Sequence, residues 1–303
     1  MSTTRGVRLL IAAVALAIAI VPSTAGAVGL VQSFNTTLQP GVWHGFVIAP
    51  SLTNAGYVAE ISPIGGGTNG ETIERYVIQP EFNGTQWNDV VRMQISAGYA
   101  PLPVQVRVYD MGGMLPAQHF TTTLQPGVWH GFGLGPSSQD GGFLAEITPL
   151  GSGTDGETIE RYVVQPEYNG STWNDVLRMQ VGAGQSPLDV EVHVYGTSGL
   201  PVVADITTTL QPGVWHGYVL GPSSAAGGYL TEITPLAPGT DGETIERYVV
   251  QPEYNGSTWN DVLRVQLPAS YAPLQVRLKV YSVSAQATVA THSTWGRLKA
   301  IYR

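Results

Sequence analysis

Three Trp-His pairs, Trp43-His44, Trp129-His130 and Trp215-His216, are the residues of this chain best suited to contact chemistry. An indole offers a broad apolar face with one polar tip, which suits the face of a sugar ring, and a neighbouring imidazole could reach its hydroxyls. Adjacent residues on a strand point to opposite sides. One member of each pair is therefore expected to be buried and the other exposed. Were the three copies to surround a common axis, their imidazoles could also meet there and hold a metal ion.

A second candidate is a polar hairpin face formed by Arg161, Gln165, Glu167, Asn174 and Arg178, with matching sets in the other copies. Amide and guanidinium groups at this density suit hydroxyl-rich ligands, and three copies would add avidity. A plain wet sheet face is the simpler reading, its exposed Arg–Glu pair contributing little to stability. The third candidate is an acidic, Gly-rich loop. Asp155 and Glu157, repeated as Asp241 and Glu243, are oxygen ligands of the kind calcium takes. The spacing is not that of an EF-hand, and the first copy has Asn69 in place of the Asp. A solvated turn accounts for the same residues.

Catalytic signatures are absent. There is no Gly-x-Ser-x-Gly elbow, no His-Glu-x-x-His, no phosphate loop and no dinucleotide fingerprint. The carboxylate pairs that exist recur in threes, which favours binding or scaffolding over catalysis, so a non-enzymatic protein is expected. Asn35, Asn83, Asn169 and Asn255 each begin an Asn-x-Ser/Thr triplet. They read most simply as turn residues.

These candidates sit in three copies of one unit. The Trp of LQPGVWHG recurs 86 residues apart, at 43, 129 and 215. The second copy of the core stretch, TDGETIERYVVQPEYNGSTWNDVLRMQ, differs from the third at one position, Met179 against Val265. Units are drawn at residues 34–119, 120–205 and 206–286, after a lead-in at 28–33. Each is expected to hold five or six strands. In the second unit Leu188, Val190, Val192 and Val194 alternate with Asp189, Glu191 and His193, the period of a half-buried strand.

The hairpin around Asn169-Gly170 fixes a register. With a four-residue loop, Asn169 to Thr172, Tyr168 faces Trp173, Val164 faces Leu177 and Tyr162 faces Met179 on one side. Val163–Arg178, Gln165–Val176 and Glu167–Asn174 fall on the other. A two-residue loop would mix the faces. Pro166 lacks an N–H, which places its strand at an edge or a bulge. The fold class expected is all-β, with three tandem antiparallel β-sandwich, jelly-roll-like repeats. The short joints favour repeats in a row slightly over a closed pseudo-threefold body. Three blades are too few for a propeller.

The ends and the composition set the compartment. Arg5 and Arg8, an apolar run from Leu9 to Val21, and Ala25-Gly26-Ala27 form a signal-peptide pattern over residues 1–27. The apolar run is short of the ~20 residues of a membrane span, so a secreted protein is expected, extracellular, on the cell surface or periplasmic, of bacterial type. Cysteine is absent, which removes disulfides, thiolate metal sites and cysteine nucleophiles. The formal charge of −8 becomes −10 once Arg5 and Arg8 are removed, and Lys279 and Lys299 are the only lysines. Nucleic acid and anionic membrane are poor partners for such a chain. Residues 287–303 break the repeat as a basic-aromatic tail, either a frayed terminus or short helix docked on the last unit, or a sorting or anchoring tail.

Two functions fit this pattern. One is a secreted binding protein whose repeats engage carbohydrate or another cell-surface polymer. The other is a structural or adhesive surface protein that self-assembles.

Overall fold

The computed structural model describes residues 28–51, 56–112, 114, 116–137, 142–197, 199–223 and 228–283. The expected signal peptide and the basic-aromatic tail lie outside the described residues. Among the described residues no helix is long and apolar enough to cross a membrane.

Each unit is a sandwich of two antiparallel sheets. In the first, β1 (Gly29–Leu38), β7 (Leu102–Asp110) and β3 (Tyr57–Pro63) form one sheet in the order β1-β7-β3. β2 (His44–Pro50) and β6 (Trp87–Ile95) form the other, together with β4 (Ile73–Arg75) and β5 (Gln79–Phe82), which both pair with β6. The chain thus crosses between sheets at four of its six connections, the run from β4 to β6 staying in one sheet. The second and third units repeat this pattern strand for strand.

Period-two alternation drives each sheet. In the second unit Leu188, Val190, Val192 and Val194 point into a core shared with Leu177, Met179 and Val181, while Asp189 and Glu191 stay outside. The expected hairpin register holds near the turn, with Gln165 opposite Val176, Glu167 opposite Asn174 and Tyr168 opposite Trp173. The Asn169 side-chain oxygen accepts from the backbone N–H groups of Ser171 and Thr172, at 3.1 and 2.9 Å, fixing the four-residue loop.

Beyond the turn the register departs from expectation. Met179 faces Arg161 rather than Tyr162. The stretch that the expected register pairs without a break is two short strands, Ile159–Arg161 and Gln165–Tyr168, separated by one extra residue relative to the partner strand. A bulge of this kind exchanges the face of everything before it. It turns Arg161 to the inner side and leaves Tyr162 half exposed. The first and third units carry the same break, with Arg75 opposite Met93 and Arg247 opposite Val265.

The units form a closed ring, not a row. Backbone bridges link Glu81 to Thr158, Glu167 to Thr244, and Glu253 back to Thr72. At each joint the hairpin of one unit meets the acidic loop of the next. Tyr168 N–H donates to the Glu243 carbonyl at 2.8 Å, and Gly242 N–H returns to the Tyr168 carbonyl at 2.9 Å. The strand carrying Pro166 is therefore an edge within its own unit, covered by the next one. Short linkers alone could not reveal this, because closure depends on hairpin edges that lie elsewhere in each unit.

A tryptophan locks each joint. Trp87 of the first unit belongs to the core of the second, Trp173 to that of the third, and Trp259 to that of the first. Each indole N–H donates to a backbone carbonyl of the receiving unit: Gly151 at 2.8 Å, Ala237 at 2.9 Å and Gly65 at 3.2 Å. The indoles lie flat against glycine. A Cβ at Gly153 would stand 2.6 Å from Trp87 Cζ2, and those at Gly67 and Gly239 would be equally close to Trp259 and Trp173. A fourth apolar cluster joins all three units, with Val58, Tyr109 and Met111 from the first, Leu144 and Tyr195 from the second, and Tyr281 and Val283 from the third.

Candidate functional site

The bulges aim three arginines at the centre of the ring. Arg161 donates from Nε and Nη2 to the Ile78 carbonyl of the first unit, at 3.0 and 2.7 Å. Arg75 makes the same pair of bonds to Val250 of the third unit, at 3.0 and 2.8 Å. Arg247 binds Val164 of the second unit at 2.5 Å and also the backbone and hydroxyl of Thr231. Burial lowers all three guanidinium pKa values to about 10, opposed by nearby carboxylates. They remain charged at neutral pH.

Each arginine faces a buried aspartate of a neighbouring unit. Asp89, Asp175 and Asp261 are pushed up to about 6 by burial, against the hydroxyls of Ser51, Ser137 and Ser223 and against Arg161, Arg247 and Arg75 respectively. Glu60, Glu146 and Glu232 are also buried, and each accepts from a tyrosine hydroxyl: Tyr109 at 2.7 Å, Tyr195 at 3.0 Å and Tyr281 at 2.6 Å.

Above the arginines lies a cavity of about 500 Å³. Its wall includes Tyr76, Tyr162 and Tyr248, Val77, Val163 and Val249, Gln79 and Gln165, and Trp129 and Trp215. Each mouth tyrosine is about half exposed and stacks on a Trp of its own unit. The pairs Trp43–Tyr76, Trp129–Tyr162 and Trp215–Tyr248 all have ring centroids 4.4 Å apart and planes within 16° of parallel. A smaller space of about 60 Å³ lies among the same arginines, with Tyr57, Phe143 and Tyr229 in its wall.

The expected site residues therefore separate. Trp129, Trp215, Arg161 and Gln165 line the one cavity. Trp43 holds the equivalent stacked position in the first unit. His44, His130 and His216 do not converge on the axis. Each imidazole Nε2 accepts the backbone N–H of Gln39, Gln125 or Gln211 at 2.9 Å, closing the turn that precedes its strand. Nor is one of each Trp-His pair buried and the other exposed: all six are half-buried, because each Trp sits in the turn before the strand and laps a tyrosine.

Arg178 remains on the hairpin face in a bidentate pair with Glu167, both bonds 2.6 Å, and Asn174 donates to the Thr172 carbonyl at 3.2 Å. In the acidic loops Glu157 and Glu243 are buried, and each accepts its own loop's backbone N–H, from Thr154 and Thr240, at 2.7 Å. Asp155 and Asp241 lie against Gly84 and Gly170 in the hairpin turn of the preceding unit. Among the described residues these four carboxylates do not gather into a group of three metal ligands. Their place is the joint between units.

Tyr162 and its sisters escaped the sequence reading because their position depends on the bulge. The buried aspartates had left a trace. Asp175 interrupts the apolar face Trp173, Leu177, Met179, where an acid has no reason to stand unless something receives it.

The fold and the cavity together define a closed ring of three β-sandwich units around a central, aromatic-mouthed pocket. Comparison with protein-family models, with curated proteins and with solved structures finds no match to this chain.

Proposed function

We propose that the protein is a secreted, non-enzymatic binding protein that takes the end of a carbohydrate chain, or of another hydroxyl-rich surface polymer, into the central cavity. The observation carrying this reading is the set of stacked Trp–Tyr pairs around one cavity of about 500 Å³. That volume falls within the ~300–1,000 Å³ of small-ligand sites, which are apolar and aromatic with a few convergent polar groups. Half-exposed aromatic faces can stack on sugar rings, while Gln79, Gln165, Glu160 and Glu246 supply donors and acceptors at the wall. A single axial pocket implies one ligand per chain, in place of the three independent sites that repetition alone suggests.

The test is a glycan and polysaccharide screen on residues 28–303, followed by titration of any hit. Saturable binding with one site per chain is expected, falling at least about tenfold in Trp129→Ala/Trp215→Ala with the fold intact. Binding that survives this double change would place the ligand elsewhere. Absence of binding to every glycan, together with ordered self-assembly by light scattering, would replace the reading with that of a structural or adhesive surface protein.

A further inference from the structure

The second unit departs from its sisters at one cluster. His119 and His193 stand directly opposite each other on the neighbouring strands Gln118–Leu124 and Leu188–Gly196. Their rings stack with centroids 4.5 Å apart. Glu191, two residues from His193 and on the same outer face, lies 2.6 Å from His119 Nε2 and 3.8 Å from His193 Nε2. One ligand atom from each of the three residues lies within 4.8 Å of the others.

We propose that His119, Glu191 and His193 form a binding site for one divalent metal ion of the zinc class, with Glu146 orienting His193 from behind. Bonds of about 2.0–2.2 Å in a tetrahedral set put ligand atoms roughly 3.3 Å apart. The present separations bracket that value, so side-chain rotation alone completes the set. Two imidazoles and one carboxylate suit zinc and its borderline neighbours better than calcium or magnesium.

Two observations point to a ligand rather than to a surface hydrogen bond. His193 is buried, at 8% exposure, and its Nδ1 has no hydrogen-bond partner. A carboxylate oxygen of Glu146 lies 3.7 Å from that nitrogen, on the neighbouring strand Phe143–Pro149. A metal on Nε2 would fix the ring proton on Nδ1, facing Glu146. This is the carboxylate–histidine–metal relay that commonly orients ligating imidazoles.

The sister units supply the second observation. The position of His193 is held by Arg107 in the first unit, which binds buried Glu60 at 3.0 Å. In the third unit it is Lys279, 3.9 Å from buried Glu232. His119 corresponds to Ser33 and Asp205, and Glu191 to Gln105 and Arg277. Only the second unit replaces the permanent cation with an imidazole, and it alone brings a second imidazole and a carboxylate beside it. A bound divalent ion restores the positive charge that the other two units carry covalently.

The experiment is calorimetric titration of Zn²⁺ into residues 28–303 after treatment with chelator, with Co²⁺ absorption as a report on coordination. One ion per chain is expected. Exchanging residues for those of the first unit, His119→Ser with His193→Arg, keeps a pairing the fold already uses, and should abolish uptake while leaving the thermal midpoint nearly unchanged. Glu191→Gln, at a half-buried position, gives the same loss should the double variant fold poorly. Glu146→Gln is expected to weaken binding about 10–100-fold. No zinc uptake by the parent chain, or uptake unchanged in the exchanged variants, would overturn the site.

Discussion

Replacing Trp87 with alanine is expected to lower the stability of the whole ring by about 3–5 kcal/mol, the range for large aromatic side chains removed from cores. The indole is only 3% exposed, yet it fills the core of the unit that follows its own. Its loss leaves a void there and opens a joint in the same step. Trp129→Ala serves as the control, since that ring is half-buried on the cavity wall. Gly153→Ala should cost about 1–3 kcal/mol by overpacking, because the new methyl meets Trp87 Cζ2 at 2.6 Å and Phe82 at 3.0 Å. Combined with Trp87→Ala, the glycine change should cost much less, a non-additivity expected of residues in contact. Urea unfolding of the four variants measures all of this. Equal losses for Trp87→Ala and Trp129→Ala would show that the joint does not hold the ring together.

Acidification from pH 7.5 to about pH 4.5 is expected to stabilise the protein. Burial pushes Asp89, Asp175 and Asp261 from 3.8 to about 6. The folded chain therefore holds these protons more tightly than the unfolded chain. Their contribution is fully present below about pH 3.8 and is lost as pH rises through about 6. The separation corresponds to about 3 kcal/mol per carboxyl, and three related sites bring the total to several kcal/mol. His193, pushed down by burial and by His119, runs the other way: it weakens the fold as pH falls below the ordinary histidine value. It is one group against three, and Asp110, also pushed up by burial, acts with the three. The thermal midpoint between pH 4.5 and 7.5 measures the balance. Asp89→Asn/Asp175→Asn/Asp261→Asn should flatten the profile, since the amide oxygens at 89 and 175 can still accept from Ser51 and Ser137. A midpoint that falls on acidification across this window would contradict the assignment.

The two effects act on the parts of the molecule that the sequence revealed least. Alternation along Leu188–Gly196 and the polarity of the Asn169 turn were sufficient for the sandwich and for most of a hairpin register, because both depend on neighbours close in the chain. The bulge before Gln165 was not legible. Its cause lies in another unit, where the Ile78 carbonyl receives Arg161. The destination of Trp173 was hidden for the same reason: its facing partner, Tyr168, accounts for one side of the ring, and the third unit's core for the other. Candidate residues fared accordingly. Trp129, Trp215, Arg161 and Gln165 share a cavity, whereas the histidines beside the tryptophans close turns and the loop acids seal joints. His119 and His193 were visible as departures from the sister copies, although only strand pairing brings them face to face.

The locking tryptophans also impose an order of events on the chain. The first two joints connect units that are consecutive in sequence, but the third returns Trp259 to Gly65 across 194 residues. Until that contact forms, the first unit lacks one side of its core and presents an uncovered acidic loop, however well its own strands have paired. Closing so long a segment adds an entropic barrier late in folding. Two paired units alone would leave that loop and one side of the first core uncovered, and the third unit covers both.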